Sequence, residues 1–212
     1  MEVKYLKKDF KRLYDCITKY KCKFIMEVGA GNSTKFLAEA AIVNKARMVT
    51  IDVEERNILK IEKVKNFKGV EYYYGLSVAV EDIPKIGDSL FVEHPMWEKD
   101  EKFRSNGFIG KIVHGEEVKI EYETDLIRKI LDNSKVPLDF FFCDSGEYCG
   151  IAEWNVVKDR IKIGGFFAIH DIYYPKSIKG FKVLKEIKKS EKWKIKIKSQ
   201  GPCGLLIARR RE

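Results

Sequence analysis

Leu6, Phe10, Leu13 and Ile17 recur at helical spacing through a charged amino-terminal stretch, which predicts an amphipathic helix over residues 1–20. The apolar run from Lys23 to Val28 (KFIMEV) then ends in GAGNST, after which Phe36, Leu37, Ala40 and Ala41 mark one face of a second helix. This is a strand, a glycine turn and a helix. Met48 to Asp52 (MVTID) reads as a second strand, followed by a helix near Glu55 to Val64 and a third strand, Val70 to Tyr74, that stops at Gly75. The alternation of strand and helix implies a parallel sheet covered on both faces.

From Ser77 to Thr124 the rhythm breaks. Pro84, Gly87, Pro95, Gly107, Gly110 and Gly115 interrupt this stretch, so residues 77–124 read as an insertion. Two β-prone runs around His114-Gly115-Glu116 predict a hairpin within it. Leu126, Ile127, Ile130 and Leu131 restore a helix, and Leu138 to Cys143 (LDFFFC) is a buried strand ending at Asp144. Ile151, Trp154 and Val157 suit another helix, and Gly164-Gly165 turns into the strand FFAIH with Asp171 directly after it. A helix over Ser177 to Lys189 leads to WKIKIKS, a Gly201-Pro202 turn and CGLLIARR. A connection that short makes the last two strands antiparallel, because a parallel return needs a crossover of a dozen residues or more. The expected architecture is one α/β domain over residues 1–212, a doubly wound, mostly parallel sheet ending in an antiparallel hairpin, without internal repeats.

At 212 residues, 45% of them hydrophobic, the chain suits a single well-packed domain and excludes wholesale disorder. No apolar run approaches the roughly 18 residues of a membrane span, and the amino terminus is charged where a signal peptide is apolar, so a cytoplasmic protein without a membrane partner is expected. Lys plus Arg number 41 against 32 Asp plus Glu, a net charge of +9. That charge suits an anionic partner such as nucleic acid, but the lysines are spread over every helix without a long basic run, and a solvated surface explains them better. Cys16, Cys22, Cys143, Cys149 and Cys203 form no CxxC pair, which argues for reduced thiols rather than disulfides or structural zinc.

The chemistry concentrates at strand ends. In Glu27-Val28-Gly29-Ala30-Gly31-Asn32-Ser33-Thr34 the glycines let the backbone turn sharply and approach a ligand, while Ser33 or Thr34 can cap the following helix. Asp52, about 20 residues further on, ends the second strand, where a carboxylate can accept ribose hydroxyls. Together they point to a ligand containing a nucleoside. A dinucleotide fingerprint needs a third glycine, and Thr34 stands in its place, whereas the acid Glu27 precedes the first glycine.

In these residues the chain resembles the class I S-adenosylmethionine-dependent methyltransferases, with further matches at Asp52, Gly75-Leu76-Ser77, Asp144, Gly164-Gly165 and the terminal hairpin. GAGNST, CDSGEY and GGFFAIHD look like the small-molecule O-methyltransferases of macrolide sugars and catechols, and the insertion is similar to that of a polyketide and saccharide group. The resemblance implies a seven-stranded, Rossmann-like methyltransferase fold. It further implies that Glu27, Gly29 and Gly31 border the methionine part, Asp52 holds the ribose, Leu76 and Ser77 lie by the adenine, and Ala30, Ser33 and Asp144 also bind the cofactor. In metal-dependent members, acids at the positions of Asp144 and Asp171 bind a divalent cation, and two oxygen ligands suit Mg²⁺. His170 offers another route, since imidazole titrates near neutral pH and can take the acceptor's proton. Side chains alternate along a strand, so His170 and Asp171 diverge unless the strand has ended there, and either His170 as base or Asp171 as ligand is expected at the site, with Asp144 beside it.

Other residues read less sharply. Asp144 and Asp171 also suit turns, His170 suits a buried histidine, and Glu147 suits a helix amino terminus as well as an acceptor contact shared with Tyr148. His94 and His114 read as solvated loop, Trp97, Phe103 and Phe108 as a lid or an anchor, and Trp154 and Tyr72 to Tyr74 as core. The expected function is methyl transfer from S-adenosylmethionine to a hydroxyl of a small molecule. Nucleic-acid methylation comes second, because Asp144 is followed by Ser145-Gly146-Glu147 rather than by the Pro-Pro-aromatic run of exocyclic amine methylation. A non-catalytic S-adenosylmethionine-binding protein is the third reading.

Overall fold

The computed structural model describes residues 2–55, 57, 69–85, 111–112, 118–173, 177–201 and 203–212, with backbone alone for residues 2–6. In chain order its main elements are α1 (Glu2–Lys19), β1 (Phe24–Val28), α2 (Asn32–Asn44), β2 (Arg47–Asp52), β3 (Val70–Tyr74), α3 (Leu126–Asp132), β4 (Leu138–Cys143), α4 (Cys149–Val157), β5 (Ile161–His170), α5 (Ile178–Lys189), β6 (Trp193–Lys198) and β7 (Leu205–Arg210). The strands form one seven-stranded sheet in the order β3-β2-β1-β4-β5-β7-β6. Strands β1 to β5 pair in parallel, and β7 runs antiparallel to both β5 and β6. The doubly wound sheet and its antiparallel finish agree with the sequence pattern.

The central strands are apolar on both faces because both faces are covered. Along β4, Phe141 and Cys143 pack on the side of α3, α4 and α5, and Phe140 and Phe142 on the side of α1 and α2. All three phenylalanines are fully buried, each contributing about 1.5–3 kcal/mol by leaving water. Phe10, Leu13 and Ile17 of α1 close the second layer, as their spacing predicts. Trp154 is core, edge-on to Phe167 and tilted against Trp193, and its indole N–H donates to Glu186. Tyr72 to Tyr74 depart from expectation: β3 is an edge of the sheet, and its tyrosines are half-buried to exposed.

Gly164-Gly165 does not precede the fifth strand. The strand starts at Ile161, and the register jumps from Leu138↔Ile161 to Phe140↔Phe166, so the glycines sit in a bulge inside β5. Gly164 has φ +83°, and a Cβ on Gly165 would lie 2.8 Å from the Asp139 carbonyl. The ends of the 77–124 segment are stitched together: the Leu76 N–H donates to the Glu123 carbonyl at 2.8 Å, and the Ile127 N–H to that of Ser77 at 2.9 Å. The predicted hairpin at 114–116, His94, Trp97, Phe103 and Phe108 lie outside the described residues, as does most of the helix expected at 55–64. No described helix is long and apolar enough to cross a membrane.

Candidate functional site

The strand order reverses between β1 and β4, and a cleft of about 390 Å³ opens there at the carboxyl ends of β1 to β4. Such a switch point is where open α/β sheets bind ligands. Val28 and Gly29 form one side, Asp52 to Glu54 with Asn57 a second, Gly75 to Ser77 a third, and Asp144 to Cys149 with Glu153 the remainder.

Gly29 has φ +93°, and a Cβ there would collide with the Asp144 carbonyl, so β1 and β4 come together at their ends only around a glycine. Asp52 ties the glycine loop to β2: its Oδ2 accepts from the Ala30 N–H at 2.8 Å and the Asn57 side chain at 3.3 Å, and its Oδ1 from the Glu54 N–H at 2.7 Å. A carboxylate has about four acceptor positions, so the acid holds the loop and keeps capacity for a ligand hydroxyl.

Gly29, Asp52, Leu76, Ser77 and Asp144 line the cleft, whereas Glu27 and Ser33 lie beneath it. Glu27 is fully buried and accepts from the Ser33 hydroxyl at 2.6 Å and the Thr50 hydroxyl at 3.2 Å. Burial pushes its carboxyl up to about 8 against those hydrogen bonds. Ser33 therefore does not cap α2. Gly31 occupies the cap position, and the Thr34 hydroxyl accepts from the Gly31 N–H at 2.9 Å. Ala30 is half-buried and Gly31 exposed, in the loop bordering the cleft.

Behind Asp144, β5 ends at His170, and Asp171 takes a left-handed φ of +61° that returns its carboxylate toward the imidazole. His170 Nδ1 lies 3.5 Å from Asp144 Oδ1 and 3.5 Å from Asp171 Oδ1. Alternation would have sent His170 and Asp171 apart; the end of the strand and the positive φ bring them together. Burial disfavours the imidazolium, but the hydrogen bond and charge of Asp144 and the charge of Asp171 outweigh it and raise the His170 pKa. Among the described residues its Nε2 is buried without a hydrogen-bond partner, and neither His170 nor Asp171 is among those that line the cleft. Asp144, His170 and Asp171 each offer a ligand atom, all within 4.8 Å of one another.

No protein-family model matches the sequence, and no curated protein matches it. Solved structures do match. An O-methyltransferase from Bacillus cereus in complex with SAH (S-adenosylhomocysteine) is similar with a TM-score of 0.61 and 16% identity, over 95% of this chain and 80% of that one. TomG of Streptomyces achromogenes, an O-methyltransferase of tomaymycin synthesis in complex with SAM (S-adenosylmethionine), gives 0.59 and 15% over 96% and 79%. An rRNA methylase from Streptococcus thermophilus gives 0.54 and 12% over 96% and 97%. The chain has the methyltransferase fold.

Three residues of the methyltransferase-fold cleft region escaped the sequence reading. Glu153 of α4 is fully buried at the cleft floor and accepts from Ser77 (2.6 Å), Ser145 (2.7 Å) and the Cys143 thiol (3.2 Å), and burial raises its pKa. The Asn57 side chain reaches Asp52 Oδ2 at 3.3 Å. Lys179, only 1% exposed, donates its Nζ to the Ser145 carbonyl and approaches Asp171 Oδ2 at 3.9 Å. Burial works against its charge, but Cys143, Asp144, Glu147 and Asp171 prevail and hold the ammonium's pKa up at about 12. A basic residue in the first turn of α5, where the helix dipole favours acids, was the available signal. Glu147, one of the sequence candidates, accepts from the Ser177 hydroxyl (3.0 Å) and from the N–H groups of Ile178 (2.7 Å) and Lys179 (3.1 Å), capping α5. Burial pushes the Cys16 and Cys22 thiols up to about 12 and raises those of Cys143 and Cys149, leaving none of the four primed as a nucleophile.

Proposed function

We propose that the chain transfers a methyl group from S-adenosylmethionine to a hydroxyl of a small molecule. The observation that carries the reading is the switch-point cleft on a methyltransferase fold, with Asp52 on one wall and Asp144 on the other. When bound, the cofactor supplies an electrophilic sulfonium methyl. Asp52 and the Gly29–Gly31 loop receive its ribose and methionine portions, and Leu76 flanks its base, as the lining residues allow. Asp144 is the carboxylate of the Asp144–His170–Asp171 cluster that reaches the cleft, so it accepts the hydrogen bond of the acceptor hydroxyl and draws its proton. His170 and Asp171 act through Asp144: the imidazole fixes its carboxylate, and Asp171 fixes the imidazole.

SAH release by wild-type protein, measured over a panel of sugars and phenols, tests the reading. Asp144→Asn is expected to lower kcat by about 100-fold or more while leaving cofactor affinity within about threefold. An unchanged kcat would contradict the role of Asp144.

A second reading, methylation of RNA, draws on the net charge of +9 and on Lys194, Lys196 and Lys198, exposed on β6. Salt-sensitive retention on RNA, with transfer of methyl to it, would replace the small-molecule acceptor.

A further inference from the structure

Asp144, His170 and Asp171 form a set that a divalent ion could join, yet Lys179 stands against it. The lysine is not there by default. The Glu147 carboxylate clamps the first turn of α5 through Ser177 and the Ile178 and Lys179 N–H groups, which fixes the Lys179 backbone. Gly150 of α4 leaves a slot for its side chain: a Cβ on that glycine would lie 2.8 Å from Lys179 Cδ. A Cβ on Gly180 would collide with the Asp171 carbonyl, so the helix is seated directly on the residue whose carboxylate Lys179 approaches. Three separate features thus deliver one buried ammonium to the Asp171 carboxylate and the Ser145 carbonyl.

Part of the acid charge is then already offset without a metal. Asp144 and Asp171 bring two negative charges, the ammonium is shared between Asp171 and the Ser145 turn, and the imidazole lies between the two acids. A divalent ion on Asp171 would place two further positive charges next to a cation that cannot move into water. The donor set also mixes imidazole with carboxylates, whereas Mg²⁺ favours oxygen alone.

We infer that Lys179 stands in for a divalent cation: its ammonium holds Asp171 and the Ser145 turn, bars metal ions from the Asp144–His170–Asp171 set, and makes turnover independent of metal. The last clause rests on the methyl-transfer reading; the first two do not.

The test is a Mn²⁺ titration of the full chain without cofactor, with free Mn²⁺ followed by electron paramagnetic resonance. Wild-type protein is expected to bind no stoichiometric Mn²⁺ at this set at millimolar metal. Lys179→Met and the more conservative Lys179→Gln, each checked for folding by circular dichroism, are expected to gain one site, at least about tenfold tighter than any wild-type binding. Adding Asp171→Asn is expected to abolish the gain. A wild-type site that Asp144→Asn or Asp171→Asn removes would overturn the inference. So would folded Lys179 variants that bind no tighter than wild type. Turnover, once an acceptor is found, is expected to survive a chelator, and a loss restored by metal would also overturn it. Absence of S-adenosylmethionine binding in wild type would end the methyl-transfer reading while leaving the Mn²⁺ result standing.

Discussion

Glu27 shows how one buried carboxyl makes stability depend on pH. Its ordinary value of 4.5 rises to about 8 in the folded chain. Between those values the folded state keeps a proton that the unfolded state has released, so stability falls as pH rises through this window and levels off above it. Glu147 and Glu153, also raised by burial, add to the same slope. Glu27→Gln removes its share and is expected to be worth up to a few kcal/mol at pH about 8.5 and little at pH about 5, measured by urea unfolding. Equal destabilisation at both pH values would contradict the burial argument. Glu27 was legible as an acid before a glycine turn, but its depth was not: the hydroxyls that surround it come from Ser33 and from Thr50 on the neighbouring strand. Lys179 was legible only as a base in the first turn of a helix, since its partners Ser145, Gly150 and Asp171 converge only through the packing of α4 and α5 on the sheet.

Among the elements, α5 depends on a cap from a distant loop. Ser177 caps the helix locally by accepting from the Gly180 N–H, and Glu147 adds three bonds from about 30 residues earlier. Glu147→Ala is expected to cost about 1–2 kcal/mol, because the freed N–H groups are partly buried, and to loosen Lys179. Thermal unfolding together with hydrogen exchange at Ile178 and Lys179 checks it: faster exchange there is expected, and unchanged protection would contradict the clamp. The strands were legible because runs such as KFIMEV and LDFFFC are mostly apolar, as a sheet covered on both faces requires. The start of β5 was not, because the exposed Lys162 and Ile163 and the positive φ of Gly164 imitate a turn where the chain in fact bulges within the strand.

Across the whole molecule, the positive charge has a structural use at the sheet edge. Strand β6 ends the sheet, carries exposed Lys194, Lys196 and Lys198, and departs from regular register between Ile195 and Ile197. Lysines and bulges on an edge strand discourage pairing with another chain. Replacing the three lysines by Thr is expected to produce concentration-dependent oligomers by size-exclusion chromatography with light scattering; a variant as monodisperse as wild type would contradict this role. Charge counted along the sequence could not reveal the edge, because only the 3-2-1-4-5-7-6 order places β6 outermost. The same order places Asp52 and Asp144, from strands on either side of β1, on opposite walls of one cleft. The central claim, that this cleft receives S-adenosylmethionine, is tested most directly by calorimetric titration with S-adenosylmethionine and S-adenosylhomocysteine, comparing wild type with Asp52→Ala. Wild type is expected to bind both ligands at micromolar concentration, weakened at least about tenfold in the variant. Binding of neither ligand, or equal binding by both proteins, would contradict it.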